Sequence, residues 1–159
     1  MNILRLSVVI CSFISLLLVV LALATDYWAS DYTGHYGLWK LCITDEGCAY
    51  LGMSVKGELH AIRAFILIGM TLGAFCFFGV CATYFYPHIG SFPLTKVVAI
   101  TNLCAAFCVM IAMAIFKGTY GGYGYFGWSF YLGWTSMVMF IITGVRTYRL
   151  QVSSEWESI

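Results

Sequence analysis

Four stretches of the chain, 6–25, 64–95, 97–116 and 118–145, contain no Asp, Glu, Lys or Arg. Each holds an apolar run of the roughly 20 residues that a helix needs to cross a bilayer. The pattern predicts spans over about 6–25, 61–86, 97–116 and 128–148. The first span ends at the aromatic pair Tyr27 and Trp28, suited to a membrane interface. Ala22, Leu23 and Ala24 also look like the small-residue end of a secretory signal. The apolar run is longer than a usual signal core, so the reading is a retained helix. Pro87 and Pro93 bracket the turn His88 to Phe92, where a helix cannot easily continue. Between the spans lie a polar loop at 26–60, a Gly- and Tyr-rich external turn at 117–127 and a turn at 87–96. An unstructured polar tail is expected at 149–159.

Within the first loop the period changes. Trp39, Leu41 and Ile43 alternate with Lys40, Cys42 and Thr44, the two-residue repeat of a strand with one covered face. Asp45, Glu46 and Gly47 supply turn chemistry. A hairpin about this turn brings Cys48 back beside Cys42, within reach of a disulfide. The competing reading is a metal site, Cys42 and Cys48 with His35 and His60, but that spacing matches no compact zinc module. No metal and no cofactor are expected. The other five cysteines, Cys11, Cys76, Cys81, Cys104 and Cys108, fall in apolar spans and read as small packing residues. Palmitoylation of Cys81 is the lesser alternative.

Composition closes off whole classes of function. Hydrophobic residues make up 62% and charged residues 9%, against roughly 25% charged in an ordinary soluble domain. Four spans leave too little chain for a separate catalytic domain, so the chain reads as one membrane domain, 1–159. A net charge of +1 supplies no basic tract for a phosphate backbone, and nucleic acid is not expected as a partner. Away from their ends, where Arg63 and Arg146 lie, the spans carry no Asp, Glu, Lys, Arg or His, the side chains that mark ion pathways and proton relays, which argues against a pump or coupled transporter. No acid, base and nucleophile constellation points to an enzyme.

Basic residues tie on the two sides of the membrane: Arg5, Lys96, Arg146 and Arg149 against Lys40, Lys56, Arg63 and Lys117. Five acids in the first loop, and a cysteine pair suited to an oxidising compartment, break the tie and put both termini in the cytoplasm.

Trp28, then Gly37, Leu38 and Trp39, then Cys42 and Cys48, resemble the W, GLW, C, C signature of the tetraspan superfamily of claudins, peripheral myelin protein, epithelial membrane proteins and the lens fibre membrane intrinsic protein. Arg63, in His60 to Phe65, is similar to an arginine these proteins carry at the start of the second span. Trp128 to Trp134 look most like the lens fibre and killer-cell granule branch. The resemblance implies an all-α membrane protein: a left-handed four-helix bundle topped by a small antiparallel sheet from the first loop, to which the second loop contributes. It also implies that Trp39 anchors the sheet near the membrane and that the disulfide joins two strands. The first loop is shorter than in claudins proper and has few acids in its second half, which argues against a paracellular ion pore. No extracellular Asn-x-Ser/Thr sequon is present, again pointing to the lens-like branch.

Further expectations concern packing. Gly69 and Gly73 form a small-xxx-small pattern on the second span, and Ala106, Met110 and Ala114 a small-residue row on the third; both are expected to pack within the bundle. Asn102 is expected to bond to a neighbouring helix. Arg63 is expected to form an interfacial ion pair with Glu58 or Asp26, or to hold carbonyl groups; a partner contact is the sharper reading. Tyr32, Tyr36, Tyr50, Tyr120, Tyr123, Tyr125 and Phe126 are expected to form a contact surface. These features suit a non-enzymatic protein of the plasma membrane that organises cell–cell or membrane–membrane adhesion or junctions. Its partners would be the lipid bilayer and copies or relatives of itself, in cis or in trans. The alternatives are an accessory protein that binds another integral membrane protein laterally, in granule or vesicle membranes, and a claudin-like barrier.

Overall fold

The computed structural model describes residues 3–83, 85, 88, 89, 92–122 and 124–157. In chain order its elements are α1 (Ile3–Ala24), β1 (Ala29–Asp31), β2 (Gly34–Tyr36), β3 (Lys40–Ile43), β4 (Gly47–Tyr50), α2 (Gly57–Ala82), β5 (His88–Ile89), β6 (Phe92–Pro93), α3 (Leu94–Tyr120), β7 (Tyr125–Phe126) and α4 (Trp128–Glu157). All four helices are long and apolar enough to cross a membrane. They close a ring in which α1 and α3 each pack against α2 and α4.

The bundle follows from the spacing of its interior residues. On α2 the buried positions Leu59, Ile62, Ile66, Gly69, Gly73, Cys76 and Val80 advance by alternating steps of three and four. Val8, Ser12, Ser15, Val19 and Ala22 do the same on α1. A mean period near 3.5 falls short of the 3.6 of a straight helix, so a stripe that stays inward winds the helices left-handed. Lipid removes the hydrophobic drive between helices, so close approach of small residues holds them together. A Cβ on Gly69 would stand 2.7 Å from Val109 Cγ2, and one on Gly73 2.7 Å from Phe140 Cζ. Both glycines therefore face α3 and α4, inside the bundle.

Several expectations shift. On α3 the inward small residues are Ala99, Ala105, Ala106 and Ala112, whereas Met110 and Ala114 are exposed, so the expected Ala106, Met110, Ala114 row does not line one interface. Asn102 is fully buried, but its Nδ2 donates to Val98 O one turn back on its own helix at 3.1 Å. Polar bonds between helix segments include Ser15 with Thr143, 3.2 Å, and the hydroxyl pair of Thr25 and Ser129, 2.7 Å. The tail is not unstructured, because α4 continues to Glu157. No Pro or Gly interrupts 145–157, and Leu150 packs on the far-end cluster of Val8, Cys76, Val80, Leu94 and Val98. Within the turn expected at 87–96, the strands β5 and β6 pair antiparallel, and α3 begins at Leu94 directly after Pro93. Pro87, Gly90 and Ser91 lie outside the described residues, as does Tyr123 of the second loop.

At the other end, where α1 and α3 finish and α2 and α4 begin, sits an antiparallel five-stranded sheet in the order β4-β3-β2-β1-β7. The first loop supplies four strands. The second loop supplies the fifth, pairing Ala29 with Phe126 and Ser30 with Tyr125.

Candidate functional site

The seam between sheet and bundle gathers the residues that the sequence pattern singled out. A helix ends with carbonyls that have no partner within it. At the end of α1, Thr25 donates its hydroxyl to Leu21 O at 2.6 Å, Trp28 its indole N–H to Ala22 O at 2.7 Å, and Trp39 its indole N–H to Leu23 O at 3.1 Å. The two tryptophans thus cap the first helix and fix the start of the sheet on it. Trp28 is completely buried, tilted against Phe116 with ring centroids 4.9 Å apart. Gly37 sits where the loop crosses back over this end: a Cβ there would come 2.5 Å from Asp26 Cα.

Leu38 is buried, and its carbonyl completes the motif. Arg63, in the second turn of α2 and only 5% exposed, donates Nε to Leu38 O at 2.8 Å, one terminal nitrogen to Leu51 O at 2.9 Å and the other to Gly52 O at 3.3 Å. The guanidinium lies over the Trp39 ring, 4.6 Å from its centroid. A planar fork with five donors suits three carbonyls better than an ammonium would. Of the two structural readings of Arg63, the ion pair with Glu58 or Asp26 gives way to the carbonyl arrangement. Asp26 is paired instead with Lys40, 3.6 Å away, and Lys40 also stands 5.1 Å over the Tyr50 ring.

Cys42 and Cys48 form a disulfide across directly paired positions of β3 and β4. Gly47, with φ of 86°, adopts the left-handed backbone that closes this three-residue hairpin connection. The alternation expected in β3 is altered: Cys42 is the most buried of its residues, and Leu41 and Ile43 are half-buried. His35 stacks on Tyr27 with centroids 4.1 Å apart, and His60 Nε2 is 3.0 Å from Met53 O. With both sulfurs joined, the alternative zinc set has no thiolates.

At the turn between β1 and β2, Asp31 Oδ1 accepts from the Thr33 hydroxyl at 2.7 Å, the Thr33 N–H at 2.8 Å and the Gly34 N–H at 3.0 Å. These bonds, the Thr33 hydroxyl foremost, hold the carboxyl below its ordinary range. Burial, and then the charge of Asp31, raises the Tyr36 phenol. The expected aromatic surface divides in two. Tyr32, Tyr50 and Tyr125 are 95%, 79% and 72% exposed. Tyr36, Tyr120 and Phe126 are half-buried against the core, with Phe126 stacked on Phe130 at 4.2 Å.

Sequence reasoning missed the acceptors. Leu51, Gly52 and the last carbonyls of α1 act through their backbones, so no side-chain pattern marks them. The one available signal was two tryptophans just past an apolar helix, each bringing an N–H that needs a partner once buried.

Comparison with known proteins agrees with this arrangement. The chain is 28% identical over 152 residues to the human lens fiber membrane intrinsic protein, covering 85% of this chain and 84% of that protein. It is 26% identical over 140 residues to mouse protein NKG7, covering 79% and 78%. It is 26% identical over 147 residues to bovine epithelial membrane protein 2, covering 81% and 84%. The sequence model of the PMP-22/EMP/MP20/Claudin family matches residues 1–146, and the chain belongs to that family.

Proposed function

We propose that this protein is a non-enzymatic structural component of membrane contacts, which organises adhesion or junctions through its sheet. In this reading both termini are cytoplasmic, the sheet faces outward from the plasma membrane, and the partner is a copy or relative on the apposed membrane. The observation that carries it is the exposure of Tyr32, Tyr50 and Tyr125 on a sheet made rigid by the disulfide and by Arg63. Tyrosine offers a large surface with a polar tip at little entropic cost, the chemistry of adaptable protein contacts. A stapled sheet presents those rings without first having to order them.

The test is clustering of two differently labelled liposome populations that carry the purified protein. Clustering that is lost on reduction, and on Tyr32→Ser with Tyr50→Ser, supports the reading. No clustering with the disulfide intact overturns it.

A lateral accessory role, in the plasma membrane or in granule membranes, is the second reading. It cannot use Gly69 and Gly73, which are covered by Val109 and Phe140. On α2 the exposed face around Phe75 and Phe78 is available for it.

A further inference from the structure

Under the sheet lies a cleft of about 550 Å³, bounded by β2, β3, the 51–56 segment and the ends of α2 and α3. That volume falls within the range of about 300 to 1,000 Å³ typical of small-molecule sites. Its walls are apolar, with Leu41, Val55, Leu59 and Phe116 among them, and Asp31 and Lys56 also line it. Lys56 immediately precedes α2 and Phe116 is in the last turns of α3. The cleft therefore stands at the sheet-side ends of two helices long and apolar enough to span a bilayer, the level at which headgroups would meet them.

The two charges are available. Lys40 is paired with Asp26, and Lys56 has no ion-pair partner among the described residues. Asp31 engages its turn through Oδ1 alone, which leaves Oδ2 for a ligand. We propose that this cleft binds one zwitterionic phospholipid, its phosphate at Lys56, its ammonium toward Asp31 and the upper part of its chains against the apolar wall. An anionic lipid would bring its net charge to Asp31 without compensation, and a sterol has one hydroxyl for two opposite charges. Such a lipid would set the height of the sheet above the membrane. The proposal is independent of the adhesive reading, because it is tested on dispersed protein.

Delipidated full-length protein in a neutral detergent is titrated with a short-chain phosphatidylcholine, with phosphatidylglycerol of the same chains and with cholesterol, and binding is read by native mass spectrometry. The expected result is one phosphatidylcholine per chain, held about tenfold or more tighter than phosphatidylglycerol. Val55→Trp, which fills the cleft, abolishes that binding. Lys56→Glu changes an exposed side chain and weakens binding by about tenfold with the melting temperature unchanged. If Val55→Trp does not fold, Lys56→Glu decides alone. Equal binding of the two phospholipids, preferential binding of cholesterol, or a Lys56→Glu variant that binds as the wild type overturns the proposal.

Discussion

The bundle and the sheet are held by opposite means. Between the helices the contacts are of shape: Gly69 on Val109, Gly73 on Phe140 and Gly133 on Met113, with a few hydroxyl bonds such as Ser15 with Thr143. Between sheet and helices the contacts are directional: two indole N–H groups and one guanidinium donate to backbone carbonyls, and one covalent bond joins two strands. In lipid a helix already satisfies its own backbone, so association depends on how closely surfaces approach. A sheet of strands two to four residues long buries too little to hold itself, and its position depends on a few specific donors. Damage should therefore spread differently in the two regions.

The largest effect is expected at the donor shared by both. Arg63→Ala leaves the carbonyls of Leu38, Leu51 and Gly52 without their charged donor, at a cost of about 3 kcal/mol or more. Thermal unfolding in detergent should show it, along with poor delivery to the cell surface. Arg63→Lys should recover part of the loss, because one ammonium cannot span three carbonyls in the same plane. Normal delivery of Arg63→Ala with loss of partner binding would make it a contact residue instead.

Inside the bundle, Gly73→Val forces a side chain onto Phe140 and should cost about 1–3 kcal/mol. Here the remedy is one of shape, so adding Phe140→Leu should restore part of the stability in a double-mutant cycle. An additive pair would mean that the helices part rather than repack.

Cys42→Ser should cost about 2 kcal/mol, the chain-entropy value for so short a loop. It should abolish liposome clustering while the helices keep their circular dichroism. A variant that clusters normally would remove the staple from the adhesive reading.

Smaller still is Lys40→Ala, which removes a partly exposed pair with Asp26. About 0–1 kcal/mol is expected, and less at high salt.

The smallest effect is a local one with pH. Asp31 has its carboxyl pKa lowered on folding, so its contribution is fully present above the ordinary value of 3.8 and fades as the pH falls through the lower folded value. Hydrogen exchange at the Thr33 and Gly34 amides should therefore stay protected down to that value and rise below it. Protection lost already at neutral pH would mean that Asp31 does not hold the turn.

Much of the molecule is legible along the chain because a bilayer is a severe solvent. It demands long apolar helices with few charges, and α1 to α4 appear as charge-free runs. The disulfide was readable as well, since a turn of Asp45, Glu46 and Gly47 brings Cys48 back to Cys42. Where the elements stop was less legible. The 149–157 segment is polar and read as a tail, yet it stays helical because Leu150 finds apolar neighbours on other helices. Asn102 could be placed inside the bundle from its type, but its acceptor on its own helix could not be anticipated.

By itself the sequence determined that the protein lies in a membrane, that it crosses it four times and that one loop folds as a stapled hairpin. These follow from local composition and short-range spacing, on which solvent and turn chemistry act directly. Only the tertiary structure decided that Trp28 and Trp39 cap the first helix, that Arg63 serves carbonyls rather than a carboxylate, and that Tyr36 and Tyr120 line a cleft instead of an outer surface. Each depends on backbone groups brought together from distant parts of the chain, and a backbone carbonyl carries no mark of its partner in the residue that bears it.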